Sequence, residues 1–209
     1  MKIISGDITK KFTKNTDMIV HITNCVAMMP RQNSLGYSLA TKFPYSNPYK
    51  DRIGIFKNLA HKDSRPQPGT VQFCFPTNHE SGPIIANCFA QYRMGNYKSN
   101  YYMNSTKVDE NYKNMSVNCD TYPDRLKYFN QCIFEKIIPF LLGEDKEKKQ
   151  EIRNIVFPEN IGCGAAGGCW MDYKAIIQKM EIKLNKTTTA RNNTFQVLII
   201  RLKQETAPV

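Results

Sequence analysis

Short apolar runs bounded by turn-forming residues predict the strands of this chain. Met18–Thr23 is apolar along most of its length and ends at Asn24, which is typical of a buried strand. The other runs that predict strands are Thr70–Phe75, Ile84–Phe89, Asn154–Ile161 and Phe195–Leu202. Asn154–Ile161 leads directly into a group of glycines.

Apolar residues spaced three and four apart predict helices between these strands. Ser34–Phe43 is predicted as a short helix with Ser34 as its N-cap and Pro44 after its end. A second helix begins with a capping box between Thr121 and Asp124, and Pro139 is expected to kink its end. Its apolar face consists of Leu126, Phe129, Ile133, Ile137 and Phe140. A third helix, Trp170–Met180, turns Tyr173, Ile176, Ile177 and Met180 inwards.

This alternation of strands and helices predicts an α/β fold. The central sheet is expected to be mixed or largely parallel with helices on both sides, and such sheets bind ligands at the carboxyl ends of their strands. The chain has 209 residues, so we predict a single domain over 1–209. Residues 93–120 contain six Asn and four Tyr with little apolar periodicity, which predicts a long surface loop or insertion. The charged stretch Glu144–Glu151 is predicted to be a solvated connection.

Charge and cysteine content narrow the classes of function. Lys and Arg number 29 against 18 Asp and Glu, and the net charge of +11 favours anionic ligands. The positive residues are spread along the chain, so we favour phosphate ligands and keep nucleic acid as a second reading. Seven cysteines without a CxxC pair, and three histidines without metal-ligand spacing, predict reduced and largely buried thiols and no metal. Since no apolar run reaches transmembrane length and no signal peptide is evident, we expect no membrane association and a cytoplasmic or nuclear location.

A glycine-rich turn is the strongest candidate for a binding site. Residues 161–170 read IGCGAAGGCW and lie between a predicted strand and a predicted helix. Small residues let the backbone approach a ligand closely, and amides beside a helix N-terminus bind anions. Gly162, Gly164 and Gly167 also match the dinucleotide fingerprint GxGxxG, but the second βαβ unit and the acidic residue of that motif are missing. A purely structural tight turn is the remaining alternative.

Two further polar positions follow predicted strand ends or turns. Asn24 opens a loop that runs to Gly36, and its amide suits sugar hydroxyls or a bound water, or else caps the loop. Asp7, in the turn 6–9, either accepts a hydrogen bond from an exocyclic amine or caps the turn.

These segments together resemble a macrodomain. GDIT at 6–9, HITN at 21–24 and IGCGAAGG at 161–168 carry the resemblance, and they occur in the expected order over roughly 1–202. Supporting segments are TDMIVHITNCVAM, SLATKFPY, IIANCFAQY, DTYPDRLKYFNQC and IVFPENIGCGAAGGCW. The sequence is most similar to the branch of ADP-ribose 1″-phosphate phosphatases within the Appr-1″-p processing family.

The resemblance implies a three-layer α/β/α sandwich that binds ADP-ribose as a monomer and needs no cofactor. Asp7 would take the adenine amino group with Ile8 beside it, and Asn24 would face the distal ribose. Gln91 would lie near the cleft beside the adenosine half, and Gly36 would belong to the first phosphate-binding loop. The diphosphate would be wrapped by the turn 162–168, that is by Gly162, Cys163, Gly164, Ala165, Ala166, Gly167 and Gly168.

Departures from the family pattern leave two hypotheses for function. The first loop reads MMPRQNSLGY with a single glycine, and Ala166 and Cys169 occupy places where relatives that remove ADP-ribose from protein often carry an aspartate. One hypothesis is a metal-independent hydrolase acting on ADP-ribose 1″-phosphate or on ADP-ribosylated protein. Asn24 would then orient the water or the leaving group, and His21, Asp172 or a substrate phosphate would be the base. The other is a reader that binds ADP-ribose without turnover; His21 as a core residue and Asp172 as a helix-start residue fit it equally well.

Overall fold

A six-stranded sheet forms the centre of the described chain. The computed structural model describes residues 1–77, 81–100, 102–143, 151–188 and 195–202. The sheet has the strand order β1-β8-β7-β2-β6-β5, and only β5 runs antiparallel to its neighbour. Its strands are β1 (Lys2–Ser5), β2 (Asp17–Asn24), β5 (Val71–Cys74), β6 (Ile84–Gln91), β7 (Asn154–Pro158) and β8 (Gln196–Arg201). The prediction of a mixed, largely parallel sheet is therefore confirmed.

Helices cover both faces of this sheet and make the three-layer arrangement. They are α1 (Ile8–Lys11), α2 (Leu35–Lys42), α3 (Glu110–Asn118), α4 (Tyr122–Gln131), α5 (Ile138–Leu141) and α6 (Trp170–Thr188). One apolar cluster joins α4 and α6 to the sheet through buried residues such as Phe129, Tyr173 and Ile177. A second joins α1 and α2 to the opposite face through Ile8 and Leu39.

The predicted helix boundaries agree closely with the structure at their N-termini. The Ser34 side chain accepts a hydrogen bond from the Tyr37 amide, and the capping box between Thr121 and Asp124 is present. The expected kink at Pro139 takes another form, because a π-helical turn over Cys132–Ile137 precedes α5, whose second residue is Pro139. The last helix runs beyond the predicted end at Met180 as far as Thr188.

The segment 93–120 is more ordered than the predicted loop. It contains α3, and Tyr112 on that helix is fully buried in a third apolar cluster with Cys25, Leu59 and Phe89. Asp109 caps α3, and its carboxylate also pairs with Arg65. The pattern missed this helix because the segment packs through isolated aromatic residues instead of a periodic apolar face, and the interpretation of 93–120 as an insertion stays a prediction.

Four short elements were not anticipated from the pattern. β1 has four residues, α1 has four, and a small hairpin pairs β3 (Gly54–Phe56) with β4 (Leu59–Ala60). The predicted connection Glu144–Glu151 lies outside the described residues except for Glu151. Among the described helices, including the 19-residue α6, none combines the length and apolar character that crossing a bilayer requires.

Candidate ligand-binding cleft

A cleft of about 1000 Å³ lies at the carboxyl edge of the sheet. Its walls come from the first loop after β2, the glycine-rich turn after β7, the start of α2 and the residues that follow β6. Asn24, Gly36, Gln91 and Gly164 all line this single cleft. The sequence-based expectation that two strand-end loops meet at one site therefore agrees with the geometry.

The Asn24 side chain makes hydrogen bonds within its own loop and also lines the cleft. Its Oδ1 accepts hydrogen bonds from the amides of Val26 and Ala27 at 3.1 and 2.7 Å, and its Nδ2 donates to the Tyr49 hydroxyl at 3.3 Å. Because two N–H donors face Oδ1, the orientation of the amide is fixed. Asn24 thus caps its own loop, and only its remaining N–H is available to a ligand that enters the cleft.

A buried arginine side chain stabilises the same loop through hydrogen bonds to its backbone. Arg52 donates to the carbonyl oxygens of Ala27 at 2.6 Å and Asn24 at 3.0 Å, and its guanidinium lies 4.6 Å from the centre of the Tyr49 ring. No carboxylate of the described residues pairs with it, and burial lowers the pKa of Arg52 from its ordinary value. Sequence reasoning missed Arg52, because its distance of 28 residues from Asn24 carries no pattern.

The glycine-rich turn presents backbone donors to the cleft. Gly167 donates to the Gly164 carbonyl at 3.1 Å, and Gly168 donates to the Gly162 carbonyl at 3.0 Å. Among the described residues, none accepts a hydrogen bond from the amides of Gly164, Ala165 or Ala166, and all three line the cleft. Unpaired amides in a tight turn form an anion-binding site.

The other residues of this turn serve the fold more than the cleft. Gly162 has φ +72° and Gly167 has φ +76°, which glycine adopts without strain. A Cβ on Gly162 or Gly168 would lie 2.6 Å from the Tyr173 ring. The residues that line the cleft do not include Cys163, Gly167 or Gly168. The Cys163 thiol donates a hydrogen bond to the Ile161 carbonyl. Gly162, Gly167 and Gly168 therefore agree with the structural interpretation of the turn, and the binding interpretation stays a prediction for Gly164, Ala165 and Ala166.

Arg125 ties the turn to the segment 93–120. It is 1% exposed, and its Nη1 donates to the carbonyls of Ala166 at 3.1 Å and Gly95 at 2.8 Å. Its other nitrogens form a bidentate pair with the fully buried Asp120, which also accepts from Arg93. This network holds the Ala166 carbonyl in place, and no local pattern predicts it because Arg125 and Ala166 are 41 residues apart.

The first turn of α2 supplies a second group of donors. Leu35 and Gly36 line the cleft, and no described residue accepts from their amides. The positive end of the helix dipole therefore meets the cleft beside them. The backbone before α2 is fixed, because the Arg31 carbonyl accepts from both the amide and the hydroxyl of Ser34 at 3.1 and 2.6 Å.

His21 lies in the cleft wall as a neutral imidazole. Its Nε2 is 2.5 Å from Asn87 Oδ1, and the Asn87 amide donates to the Ser46 carbonyl, so Nε2 is the donor. Burial lowers the pKa of His21 to about 4. An imidazole with that pKa is a weak base at neutral pH.

Asp172 is not part of the cleft. Its carboxylate accepts a hydrogen bond from the Tyr122 hydroxyl at 2.6 Å, and the same hydroxyl accepts from the Cys169 amide at 3.1 Å. The expected role of Asp172 as a base therefore has no geometric support. Its position at the start of α6 agrees with the structural alternative.

Asp7 and Ile8 sit at the same edge of the sheet but outside the cleft lining. Asp7 caps α1 by accepting from the Thr9 amide and hydroxyl, which together with Lys10 lowers the pKa of Asp7 despite desolvation. Within the described part of the chain, the one partner of its second carboxylate oxygen is Lys10, 3.7 Å away. The Ile8 side chain is buried in the core against Phe12 and Leu39.

Gln91 requires a correction to the expected layout. It pairs with Asn24 in the register of β2 and β6, whereas Asp7 follows β1 at the other side of the sheet. Gln91 therefore cannot lie beside the adenosine half if Asp7 binds the adenine. The strand order puts Gln91 on the far side of Asn24 from Asp7.

Charged groups are few among the residues that line the cleft. Among the described residues they are Arg31 in the first loop and Glu159 after β7, and Glu159 pairs with Arg201 through two contacts of 2.7 Å. This pairing lowers the pKa of the Glu159 carboxyl. Within the described residues, no group of three His, Cys, Asp or Glu side chains could hold a metal ion.

Comparisons with known proteins agree with the fold. No protein-family model matches the chain, and no curated protein matches it significantly. Among solved structures it is similar to the macrodomain of Mycobacterium tuberculosis DarG, with a TM-score of 0.55 and 15% identity over 95% of each chain. The chain therefore has a macrodomain fold.

Proposed function

We propose that this protein binds ADP-ribose in the cleft at the carboxyl edge of its sheet. The observation that carries the proposal is a set of backbone amides, at Gly164–Ala166 and at Leu35 and Gly36, that have no acceptor among the described residues and lie on two walls of one cleft. Such donors suit a diphosphate, whose charge is also favoured by the N-terminus of α2.

The strand order supports one direction for the ligand. Asp7 after β1 offers a carboxylate oxygen to the adenine amino group, and Asn24 at the end of β2 offers its remaining N–H to a hydroxyl of the distal ribose. The diphosphate then lies between them, beside the turn after β7. The ligand is ADP-ribose itself or an ADP-ribosyl group on a larger molecule.

Hydrolysis at the distal ribose is the second candidate function. Asn24 and the amides of the glycine-rich turn would stabilise the charge that develops on a leaving group. Asn24 Oδ1 cannot orient a water, because two amides already occupy it, and His21 is a weak base. A base would have to come from the substrate, as in ADP-ribose 1″-phosphate, and release of inorganic phosphate from that compound by the purified protein tests this candidate.

Gly164→Val tests the binding proposal. A Cβ at position 164 meets no described atom within 4 Å, so the substitution leaves the fold intact and fills space that the ligand needs. We expect calorimetry to show saturable ADP-ribose binding by the wild type and a loss of at least about tenfold in the variant, because amides of the turn can no longer approach the phosphates.

Ala175→Val is the matched control. Ala175 is exposed on α6 and away from the cleft, so this variant should bind ADP-ribose like the wild type. Equal affinity of the wild type and Gly164→Val would show that the diphosphate binds elsewhere.

A further inference from the structure

The cleft extends beyond the end of the proposed ligand. With adenine at Asp7 and the distal ribose at Asn24, the next strand along the sheet is β6. Gln91, Met94 and Tyr102, at or after the end of β6, still line the cleft, together with Met29 and Asn58. This inference rests on the proposed function, because that function sets the direction of the ligand.

The walls of this extension are fixed in position. The Tyr102 ring packs edge-on against Phe56 with 5.5 Å between ring centres. Asn58 Oδ1 accepts from the amides of Met28 and Met29 at 2.7 and 3.0 Å, and its Nδ2 lies 3.5 Å from the Met94 sulfur. The Asn58 amide is therefore occupied, and the surface that it supports is preorganised.

Gln91 is the polar group that remains. The residue is 9% exposed, lines the cleft, and makes no side-chain hydrogen bond to any described residue. A ligand that covers this amide removes it from water, which is unfavourable unless the ligand replaces the lost hydrogen bonds. Because the amide both donates and accepts, a ligand group with one donor and one acceptor close together suits it.

The extension contains no charged group among the described residues that line it. The two charged residues of the cleft, Arg31 and Glu159, belong to the first loop and to the end of β7. An aromatic ring and two thioethers suit a planar ring better than a phosphate, since rings stack on tyrosine and contact methionine sulfur favourably.

We infer that the cleft holds a subsite for a planar ring with a carboxamide, attached to C1″ of the distal ribose and contacted by Gln91 and Tyr102. NAD⁺ is ADP-ribose that carries such a group, so it is the probe for this subsite. The cationic nicotinamide ring of NAD⁺ is also attracted to the face of a tyrosine.

Calorimetric titrations with ADP-ribose, NAD⁺ and nicotinic acid adenine dinucleotide test the subsite. We expect the wild type to bind NAD⁺ roughly tenfold more tightly than ADP-ribose, and the acid analogue less tightly than NAD⁺ because its carboxylate lacks the donor. Gln91→Leu should remove the preference for NAD⁺ and leave ADP-ribose affinity unchanged. Tyr102→Leu should reduce NAD⁺ affinity in the same selective way.

Gln72→Leu is the matched control, because Gln72 is exposed on β5. Thermal unfolding of each variant separates misfolding from loss of the subsite. If ADP-ribose binds and NAD⁺ binds no more tightly, the subsite is refuted while the proposed function stands. If Gln91→Leu weakens both ligands equally, Gln91 contacts the ribose and the inference is wrong. If neither ligand binds, the proposed function itself fails.

Discussion

Asn24 performs two tasks with the two ends of one amide. Its oxygen caps the amides of Val26 and Ala27, and its nitrogen points one donor to the cleft. Asn24→Asp separates the tasks, because a carboxylate still accepts from both amides but has no donor and repels an anionic ligand. We expect this variant to unfold near the wild-type temperature and to lose ADP-ribose binding in calorimetry.

Asn24→Ala provides the comparison. It leaves two amides without their acceptor and should reduce the free energy of unfolding by about 1–3 kcal/mol, in addition to weakening binding. Binding retained by Asn24→Asp would contradict the assignment of Asn24 Nδ2 as a ligand donor.

His21 makes the fold sensitive to acid. Its pKa is about 4 in the folded protein and 6.5 in the unfolded chain, so the unfolded chain binds more protons between these values. The contribution of neutral His21 is therefore fully present above pH 6.5 and is lost as the pH falls towards 4. At pH 5 the loss amounts to about 2 kcal/mol.

Denaturant unfolding of the wild type and of His21→Gln at pH 7 and pH 5 measures this effect. Carboxylates that titrate near pH 5 affect both proteins alike, so the difference between them isolates His21. If both proteins lose the same free energy of unfolding between pH 7 and pH 5, protonation of His21 does not destabilise the fold and the prediction is wrong.

The sequence could identify these side chains better than their roles. Asn24 was open to two readings because its partners, Tyr49 and Arg52, are 25 and 28 residues away. The position of Gln91 relative to Asp7 depended on the strand order, which no local pattern contains. The small residues at 164–166 predict amides that a ligand can approach. The hydrogen bond from Arg125 to the Ala166 carbonyl joins residues 41 positions apart, so no local pattern predicts it.

At the scale of elements, the start of α2 links helix stability to the cleft. Ser34 Oγ accepts from the Tyr37 amide and donates to the Arg31 carbonyl, so it holds both the helix end and the first loop. We expect Ser34→Ala to reduce the free energy of unfolding by about 1 kcal/mol and also to weaken ADP-ribose binding.

Thr121→Ala is the control, because Thr121 caps α4 in the same way. It should cost a similar amount of stability, measured by denaturant unfolding, while ADP-ribose affinity stays at the wild-type value. If the two variants bind ADP-ribose with equal affinity, the contacts of Ser34 with the first loop do not contribute to ligand binding.

Long periodic elements were predicted well, and short or aromatic ones were not. β2, β6, α4 and α6 have apolar patterns long enough to read, since each faces a buried layer. The four residues of β1 are too few to show a period. In α3, Tyr112 is the one large side chain that is fully buried, so this helix has no repeating apolar face.

For the whole molecule, fold and net charge point to the same class of ligand. The parallel strands bring loops that are distant in sequence to one edge, and the net charge of +11 favours anionic ligands in general. The macrodomain fold does not by itself establish function, which depends on the amides and side chains in the cleft.

The most direct measurement is a calorimetric titration of the wild-type protein with ADP-ribose. One molecule per chain should bind saturably, and AMP should bind more weakly because it lacks the distal phosphate and ribose that reach Gly164–Ala166 and Asn24. Absence of saturable binding, or equal affinity for AMP, would contradict the claim that the two loops close on ADP-ribose.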